Sequence, residues 1–220
     1  MCYTKLFPQY RNDAQLWAGI QLNKDLPKRF SISAQYQARF DNGILHFKAM
    51  YVYASVDYEL VKKYLSAGIE YRYSTSNKRD LHRFGFSVTG KYKYKKIAFS
   101  GRVVYQREHE YFSTSYENGH EPTNYIRTRF QIKWDFKKRW CAYISFEPFI
   151  RISNKFNNID RVRNTAGLDW EFVKTHHVNL FYNFQPDINQ KTPEMAHIIG
   201  LNYTWDIPDF NKKKKKNGKK

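Results

Sequence analysis

The amino-acid sequence predicts an all-β protein that folds as a single antiparallel, up-and-down β-barrel of about 10–12 strands. Two features of the 220-residue chain carry this prediction. Apolar and polar side chains alternate over long segments, which places them on opposite faces of a strand. The connections between these segments alternate between short turns and longer polar loops, as expected when successive strands run up and down a closed barrel.

Five alternating segments lie in the N-terminal half of the chain. The fifth, LHRFGFSVTGKYKY, is the clearest, because Phe84, Phe86 and Val88 share one face while Arg83 and Lys91 lie on the other. Short basic turns or polar loops separate the segments, and an Asp-Asn-Gly turn signal follows the second. The predicted strands are Ala14–Leu22, Phe30–Phe40, Ile44–Leu60, Tyr64–Tyr73 and Leu81–Tyr94.

Six further segments follow in the C-terminal half. The alternation is sharpest after the polar connection, where Phe130, Ile132 and Trp134 face away from Arg129 and Gln131. Eleven strands would put the two chain ends at opposite rims, so either residues 1–13 add a twelfth strand or one of the predicted strands is wrong. The predicted strands are Ile97–Glu108, Tyr125–Phe136, Trp140–Ile152, Val162–Phe172, Val178–Phe184 and Met195–Asp206.

The direction in which the apolar faces point decides the class of barrel. A soluble barrel buries its apolar row, whereas a membrane barrel turns that row outward against lipid. The asymmetry of the connections favours a transmembrane barrel in the outer membrane, with short periplasmic turns and longer extracellular loops. The turns are predicted at 24–28, 61–63, 95–96, 137–139 and 174–177, and the loops at 74–80, 110–123, 153–158 and 185–193.

Aromatic residues on the apolar row support the same orientation. They crowd the ends of the strands at the short turns, which is typical of the aromatic girdle at the headgroup level of a membrane. In a soluble barrel these rings would have to fill one end of the core. The predicted girdle consists of Tyr58, Tyr64, Tyr92, Tyr94, Trp134, Trp140, Trp170, Tyr203 and Trp205.

The charged row then faces the barrel interior and forms the candidate functional site. The formal net charge of +18 makes an anionic partner plausible, and arginine presents a planar fork to phosphate or carboxylate. A barrel of this size is too narrow for a porin-like channel, so a polar core of ion pairs is favoured over transport, and an anion-binding lumen is the alternative. The interior network is predicted to comprise Arg72, Arg83, Arg102, Arg127, Arg129, Arg151, Arg161, Arg163, Glu70, Asp135, Glu147 and Asp169.

Two other functional classes remain open. A lipid-modifying enzyme would need a Ser/His or Asp/His constellation near the outer rim, and Ser113, Ser115 and Glu117 share the longest loop with His120, but no nucleophile-elbow motif is present. A soluble basic protein binding nucleic acid would need aromatic and cationic residues on one face, whereas here they occupy opposite faces. No catalytic residue, metal site or cofactor is predicted; the other candidate histidines are His46, His82, His109 and His197.

The organisation of the chain is predicted as an N-terminal segment (1–13), a barrel (14–206) and a lysine-rich tail (207–220). The N-terminal segment lacks the apolar core of a secretory signal, so the outer-membrane localisation rests on the strand pattern. The expected partners are outer-membrane lipid, lipopolysaccharide and the barrel-assembly machinery, with an anionic periplasmic partner for the tail; nucleic acid is not expected.

Short motifs in a particular order also relate the chain to a known family. They extend from Leu16-Trp17 to Trp205, and they include Gln37 with Arg39, the sequences YRY, HR, NYIR, GLD and GLNY, and Arg129. In these motifs the chain resembles the DUF2490 family, uncharacterised outer-membrane β-barrels of Gram-negative bacteria. The resemblance implies a barrel in the outer membrane and supplies no activity. The chain departs from such barrels by lacking a signal peptide and by continuing through Phe210 into lysines.

Overall fold

The computed structural model describes residues 11–76, 80–110, 122–153, 157–189 and 192–208, and these residues form an all-β fold. No helix among them is long and apolar enough to cross a membrane. A 3-10 turn, Pro27–Arg29, follows the first strand. The strands are β1 (Arg11–Asp25), β2 (Phe30–Asp41), β3 (His46–Val61), β4 (Leu65–Thr75), β5 (Asp80–Tyr94), β6 (Ile97–His109), β7 (Thr123–Lys137), β8 (Trp140–Ile152), β9 (Asn158–Val173), β10 (His176–Pro186) and β11 (Glu194–Ile207).

The alternation located these strands well and their ends less well. The third strand was predicted from Ile44, but β3 begins at His46. Ile44 lies in the preceding turn with a positive φ of 68°, and Leu45 beside it is 90% exposed, so their apolar character does not reflect a strand. The ninth strand was predicted from Val162 and begins four residues earlier, at Asn158, because β9 continues past a bulge opposite Phe149 and Ile150.

The eleven strands close into a barrel whose first and last strands pair in parallel. This seam runs from Arg11 opposite Glu194 to Lys24 opposite Ile207. Consecutive strands alternate in direction, so with an odd number the first and last point the same way. The barrel is therefore antiparallel, as predicted, at every strand pair except this parallel seam. No twelfth strand is required for closure: residues 11–13 belong to β1, and residues 1–10 lie outside the described part of the chain.

The two rims of the barrel differ in the length of their connections, as predicted. The short-turn rim carries the connections 26–29, 62–64, 95–96, 138–139 and 174–175, together with the end of β11. The long-loop rim carries the connections 42–45, 76–79, 110–122, 153–157 and 187–193, together with the start of β1. The short turns reverse the chain through residues with positive φ, among them Lys63, Lys95 and Arg139.

The barrel wall buries polar side chains and exposes apolar ones. Gln106 and Ser87 are almost completely buried inside, and Glu70 and Glu147 are buried beside them. On the outer face, large apolar side chains such as Ile69 are more than half exposed (63%). Soluble domains show the opposite distribution, because burial of apolar surface drives their folding. The apolar side chains of the outer face therefore have no packed protein layer over them, although such side chains are normally buried in a folded domain.

One apolar cluster does lie inside the barrel, near the parallel seam. Trp17, Phe181, Ala196 and Ile198 are buried together there. Gly200 leaves room for this packing, since a Cβ atom at that position would overlap the ring of Phe181. A glycine is therefore required in β11 by close approach of a neighbouring ring rather than by a turn.

Replacement of Gly200 by alanine is expected to destabilise the barrel by about 1–3 kcal/mol, because the new methyl group overpacks the interior. Urea unfolding of the refolded protein measures the change. Gly90→Ala is the matched control, since the nearest atom to its added Cβ would be the Gly101 oxygen at 4.0 Å. Adding Phe181→Leu to the Gly200 variant should recover part of the loss; equal stability of both alanine variants would contradict the packing argument.

Candidate functional site: the arginine-rich barrel interior

A layer of arginine side chains crosses the interior of the barrel. The strand registers stack these residues next to one another: Arg72 lies opposite Arg83, and Arg102 lies opposite Arg129. Like charges directly opposite in a sheet repel one another, so the layer depends on acids and aromatic rings between the arginines. We define the arginine layer as Arg39, Arg72, Arg83, Arg102, Arg127, Arg129 and Arg163 with Glu70, Glu108 and Glu147.

Glu147 on β8 holds two arginines from the strands on either side of it. Arg127 on β7 donates to Oε1 of Glu147 from Nη2 at 2.7 Å and from Nε at 3.2 Å. Arg163 on β9 lies 3.5 Å from Oε2. The Glu147 side chain is only 7% exposed, so these ion pairs are shielded from water. Glu147 is thus the anionic centre of this side of the layer.

Two further glutamates hold arginines across the layer. Glu70 forms an ion pair with Arg102 and accepts a hydrogen bond from the Tyr53 hydroxyl at 3.2 Å. Glu108 forms an ion pair with Arg83 and accepts a hydrogen bond from Gln106 at 3.0 Å. Glu108 lies on the strand next to that of Arg83, and one strand separates Glu70 from Arg102. Both ion pairs therefore form between strands of the barrel wall, without a residue from a loop.

Aromatic rings separate the remaining arginines. The Arg39 guanidinium lies 3.5 Å from the centre of the Trp17 ring and 3.9 Å from that of Tyr51, so it lies between the two rings. Arg72 lies 4.8 Å from the Tyr51 ring. Arg163 contacts the Trp17 ring at 5.3 Å, which joins this group to the Glu147 side of the layer. Cation–π contacts of this kind stabilise a guanidinium that has given up water.

Positive charge nevertheless exceeds negative charge in the arginine layer. Seven arginines face three glutamates, a difference of four. Among the described residues, no carboxylate lies within 4.0 Å of Arg39, Arg72 or Arg129. The Nε atoms of Arg83 and Arg102 are buried and have no hydrogen-bond acceptor. The layer therefore offers unused donors and unbalanced charge in its interior.

The predicted network is divided among three heights of the barrel. Eight of its twelve members lie in the arginine layer: Arg72, Arg83, Arg102, Arg127, Arg129, Arg163, Glu70 and Glu147. Arg151 and Arg161 lie instead at the long-loop rim, where they pair with Asp160 at 2.6 Å and Asp187 at 3.9 Å. Asp135 and Asp169 lie at the short-turn rim, near Lys93 at 2.6 Å and His177 at 3.6 Å.

The predicted network omitted two members of the arginine layer, Arg39 and Glu108, and the two rings on either side of Arg39. Arg39, Trp17 and Tyr51 form the aromatic–cation stack, and Glu108 holds Arg83. The sequence contained a signal for Arg39, because Arg39 shares the polar face of β2 with Gln37. In the structure the Nε of Arg39 donates to the Gln37 side chain at 2.8 Å. Trp17 gave no such signal: it faces inward on the polar row of β1, where an aromatic residue was not expected.

The residues of the predicted girdle lie on the outer face near the short-turn rim. Tyr92, Tyr94 and Trp134 are more than half exposed there. Trp140 and Trp170, from neighbouring strands, stack with ring centres 5.3 Å apart, and Trp205 stacks on His176 at 5.8 Å. Tyr58 and Tyr203 belong to the same outward row, and Tyr64 lies in the turn 62–64 next to it.

A cavity of about 520 Å³ lies at the short-turn rim. Its lining includes the basic residues Lys96, Lys133, Lys138 and Arg139, together with Asp135 and other acids. The acids leave this cavity less positive than the arginine layer. The sequence gives no local signal for this cavity, because its lining comes from turns and strand ends that are separated along the chain.

Of the candidate histidines, His82 and His197 lie on the outer face and His46 lies at the long-loop rim, and each engages an aromatic or acidic neighbour. His82 lies 2.8 Å from the Tyr71 hydroxyl and His197 lies 2.7 Å from that of Tyr182. His46 lies 2.9 Å from Asp41. No group of His, Cys, Asp and Glu suited to a metal ion occurs among the described residues. Ser113, Ser115, Glu117 and His120 lie outside the described residues.

Comparison with protein families identifies the family of the chain. The model of a family described as "Protein of unknown function (DUF2490)" matches residues 14–195, which is nearly the whole barrel. No curated protein matches significantly. One similar solved structure is described as "Bacterial polysaccharide outer membrane secretin", with a TM-score of 0.48 and 9% sequence identity over 78% of this chain and 73% of that chain. A second is described as "Unveiling the Mechanism Behind the in-meso Crystallization of Membrane Proteins", with a TM-score of 0.41 and 12% sequence identity over 83% of this chain and 79% of that chain.

Proposed function

This chain belongs to the DUF2490 family, and from the barrel that its sequence forms we propose that it is an integral outer-membrane protein with an interior closed by charged side chains. The function of that interior is structural and anion-related. Its side chains fill the lumen and support the barrel wall, and its excess of cations offers a site for small anionic solutes.

The observation that carries the proposal is the reversed distribution of polar and apolar side chains. Ion pairs and glutamines fill the interior, and the outer face carries Phe86 and Phe130 exposed to 52% and 58%. On β5 this outward row runs from Phe84 to Tyr94. With a rise of ~3.4 Å per residue and a tilt of ~40°, that row covers about 26 Å along the barrel axis, close to the thickness of an outer-membrane apolar band.

The short-turn rim has the composition of a lipid headgroup interface. The aromatic girdle lies next to the short turns. Every short connection also contains at least one lysine, and these lysines include Lys28, Lys62, Lys95, Lys138 and Lys174. Cations near a membrane surface attract anionic headgroups, and aromatic rings anchor at the same level. We therefore assign this rim to the periplasmic leaflet.

The long-loop rim then faces outward, toward lipopolysaccharide. Arg107 is exposed on the outer face of β6 near this rim, which suits contact with an anionic saccharide headgroup. Assembly by the barrel-assembly machinery follows from the same placement. The proposed organisation keeps the barrel as one domain, and assigns the lysine-rich tail to the periplasmic side, where an anionic partner is available to it.

The test of this proposal is the migration of the protein in gel electrophoresis. The protein extracted with detergent from an outer-membrane fraction should run as a compact band without heating and as a slower band after boiling, because membrane barrels resist the detergent until they are heated. The free energy that resists unfolding comes from the closed hydrogen-bonded sheet.

A soluble extract prepared without detergent supplies the comparison. Recovery of the folded protein there, as a monomer that migrates equally before and after boiling, would contradict the proposal. That outcome would favour a soluble barrel with a solvated outer face.

A further inference from the structure

At one end of the arginine layer, three arginines from the described part of the chain share a single carboxylate partner. Arg39 on β2, Arg72 on β4 and Arg83 on β5 lie near the long-loop rim, and Glu108 is the one carboxylate of the described residues in ion-pair contact with them. Two acids nearer the rim are engaged elsewhere: Asp41 pairs with His46 and Lys48, and Asp13 accepts hydrogen bonds from the Gln15 side chain and the Asn42 backbone.

Charges sheltered from water in this way are costly unless they are compensated. Removing a single ion from water costs several kcal/mol even after the surroundings relax. Tyr51 offsets part of this cost through its contacts with Arg39 and Arg72, but a ring face provides less stabilisation than a carboxylate. The Nε atom of Arg83 is buried and lacks an acceptor, so a specific hydrogen bond is missing as well.

We propose that Arg39, Arg72 and Arg83 bind a phosphate-like oxyanion that enters the barrel from the long-loop rim. A phosphate group accepts several hydrogen bonds and carries up to two charges, so it can take both fork donors of Arg72 and the free Nε of Arg83. Halide ions carry one charge and no directional acceptor pattern. The site is therefore selective for the oxyanion.

The source of the phosphate group is either free inorganic phosphate or the phosphate of a lipid headgroup. Both present the same chemistry to the arginines. They differ in whether the group is soluble or attached to a micelle or membrane. The inference rests on the proposed membrane barrel only for its access from the long-loop rim, since the interior contacts are the same in any environment.

The test compares inorganic phosphate with chloride at equal ionic strength on the detergent-refolded protein. At a hundredfold excess over its dissociation constant, phosphate should raise the unfolding temperature by about 5–10 °C, and chloride should leave it unchanged. A second series replaces inorganic phosphate with phosphatidic acid in the micelle. A response to that lipid alone, lost on Arg72→Gln, would identify the lipid as the source and still support the site.

The variant Arg72→Gln separates binding from packing. Its dissociation constant for phosphate should rise at least about tenfold, the loss expected for a charged hydrogen-bonding partner. In phosphate-free buffer its unfolding temperature should equal or exceed that of the wild type, because an uncompensated buried charge has been removed. If Arg72→Gln does not refold, Arg72→Lys serves instead, since it keeps the charge and loses the fork.

Arg151→Gln is the matched control, because it removes the same charge from the long-loop rim, where Arg151 pairs with Asp160. It should keep the full response to phosphate. Equal responses to phosphate and chloride without a response to phosphatidic acid, or an undiminished response of Arg72→Gln, would overturn the inference. So would a lower stability of Arg72→Gln in phosphate-free buffer, which would show a purely structural stacking role. Heat-modifiable migration of the same preparations shows separately whether the barrel itself is formed.

Discussion

Replacing Glu147 by glutamine is expected to lower the free energy of unfolding by about 3–5 kcal/mol, the cost of leaving a buried charge without its partner. Glu147 is the carboxylate that holds both Arg127 and Arg163, at 2.7 Å and 3.5 Å. Glutamine keeps the shape of the side chain and removes its charge. The two arginines would then add to the positive excess of the layer. Urea titration of the protein in phospholipid vesicles measures the loss.

Asp135→Asn provides the control for this experiment. Asp135 pairs with Lys93 at 2.6 Å, but both side chains are about half exposed at the short-turn rim (46% and 60%). Water and salt screen such a pair, so its loss should change the stability by only ~0–1 kcal/mol. Similar effects of the two variants would show that the interior of the barrel is as well hydrated as its rim, and the account of a closed interior would fail.

An arginine introduced at Phe86 should destabilise the barrel by about 2–4 kcal/mol in a bilayer, as expected for a cation at the middle of the apolar band. Phe86 lies on the outer face of β5, midway between the rims, and is 52% exposed. If lipid covers this face, the guanidinium must leave water when the barrel inserts. The same titration in vesicles gives the magnitude, and the yield of the compact, heat-modifiable band gives a second measure.

Tyr94→Arg is the matched variant, because Tyr94 belongs to the same face of the same strand but lies at the short-turn rim with 56% exposure. Near the interface the cost of a cation falls to ~0–1 kcal/mol. The difference between the two positions therefore measures depth in the membrane. A Phe86→Arg protein as stable as Tyr94→Arg would indicate that water, not lipid, covers the outer face.

The sequence predicted the faces of the strands better than the heights of their residues. Asp135 and Glu147 share the inward row, and the prediction joined them in one network. The structure separates them, with Asp135 at the short-turn rim and Glu147 in the arginine layer. Alternation has a period of two residues and identifies a face, whereas successive inward residues lie ~7 Å apart along a strand. Height has to be counted from the turns, and pairing requires both.

The contacts across the interior could not be derived from single strands. Arg39 reaches Trp17 on β1 and Tyr51 on β3, which lie on its two sides in the sheet. The registers that align them are Trp17 opposite Arg39 and Gln37 opposite Tyr51. A shift of one residue in either register would move the partner to the outer face. Such registers follow from the whole set of turns and bulges.

By itself, the sequence determined the all-β class, the eleven alternating segments, the difference between the rims and the family. These properties are local, because alternation and turn chemistry act within a few residues. The tertiary structure alone decided the parallel seam between β1 and β11 and the partners of each interior arginine. Closure of the sheet fixes both, since it forces the ends of the chain together and sets which inward side chains meet at one height.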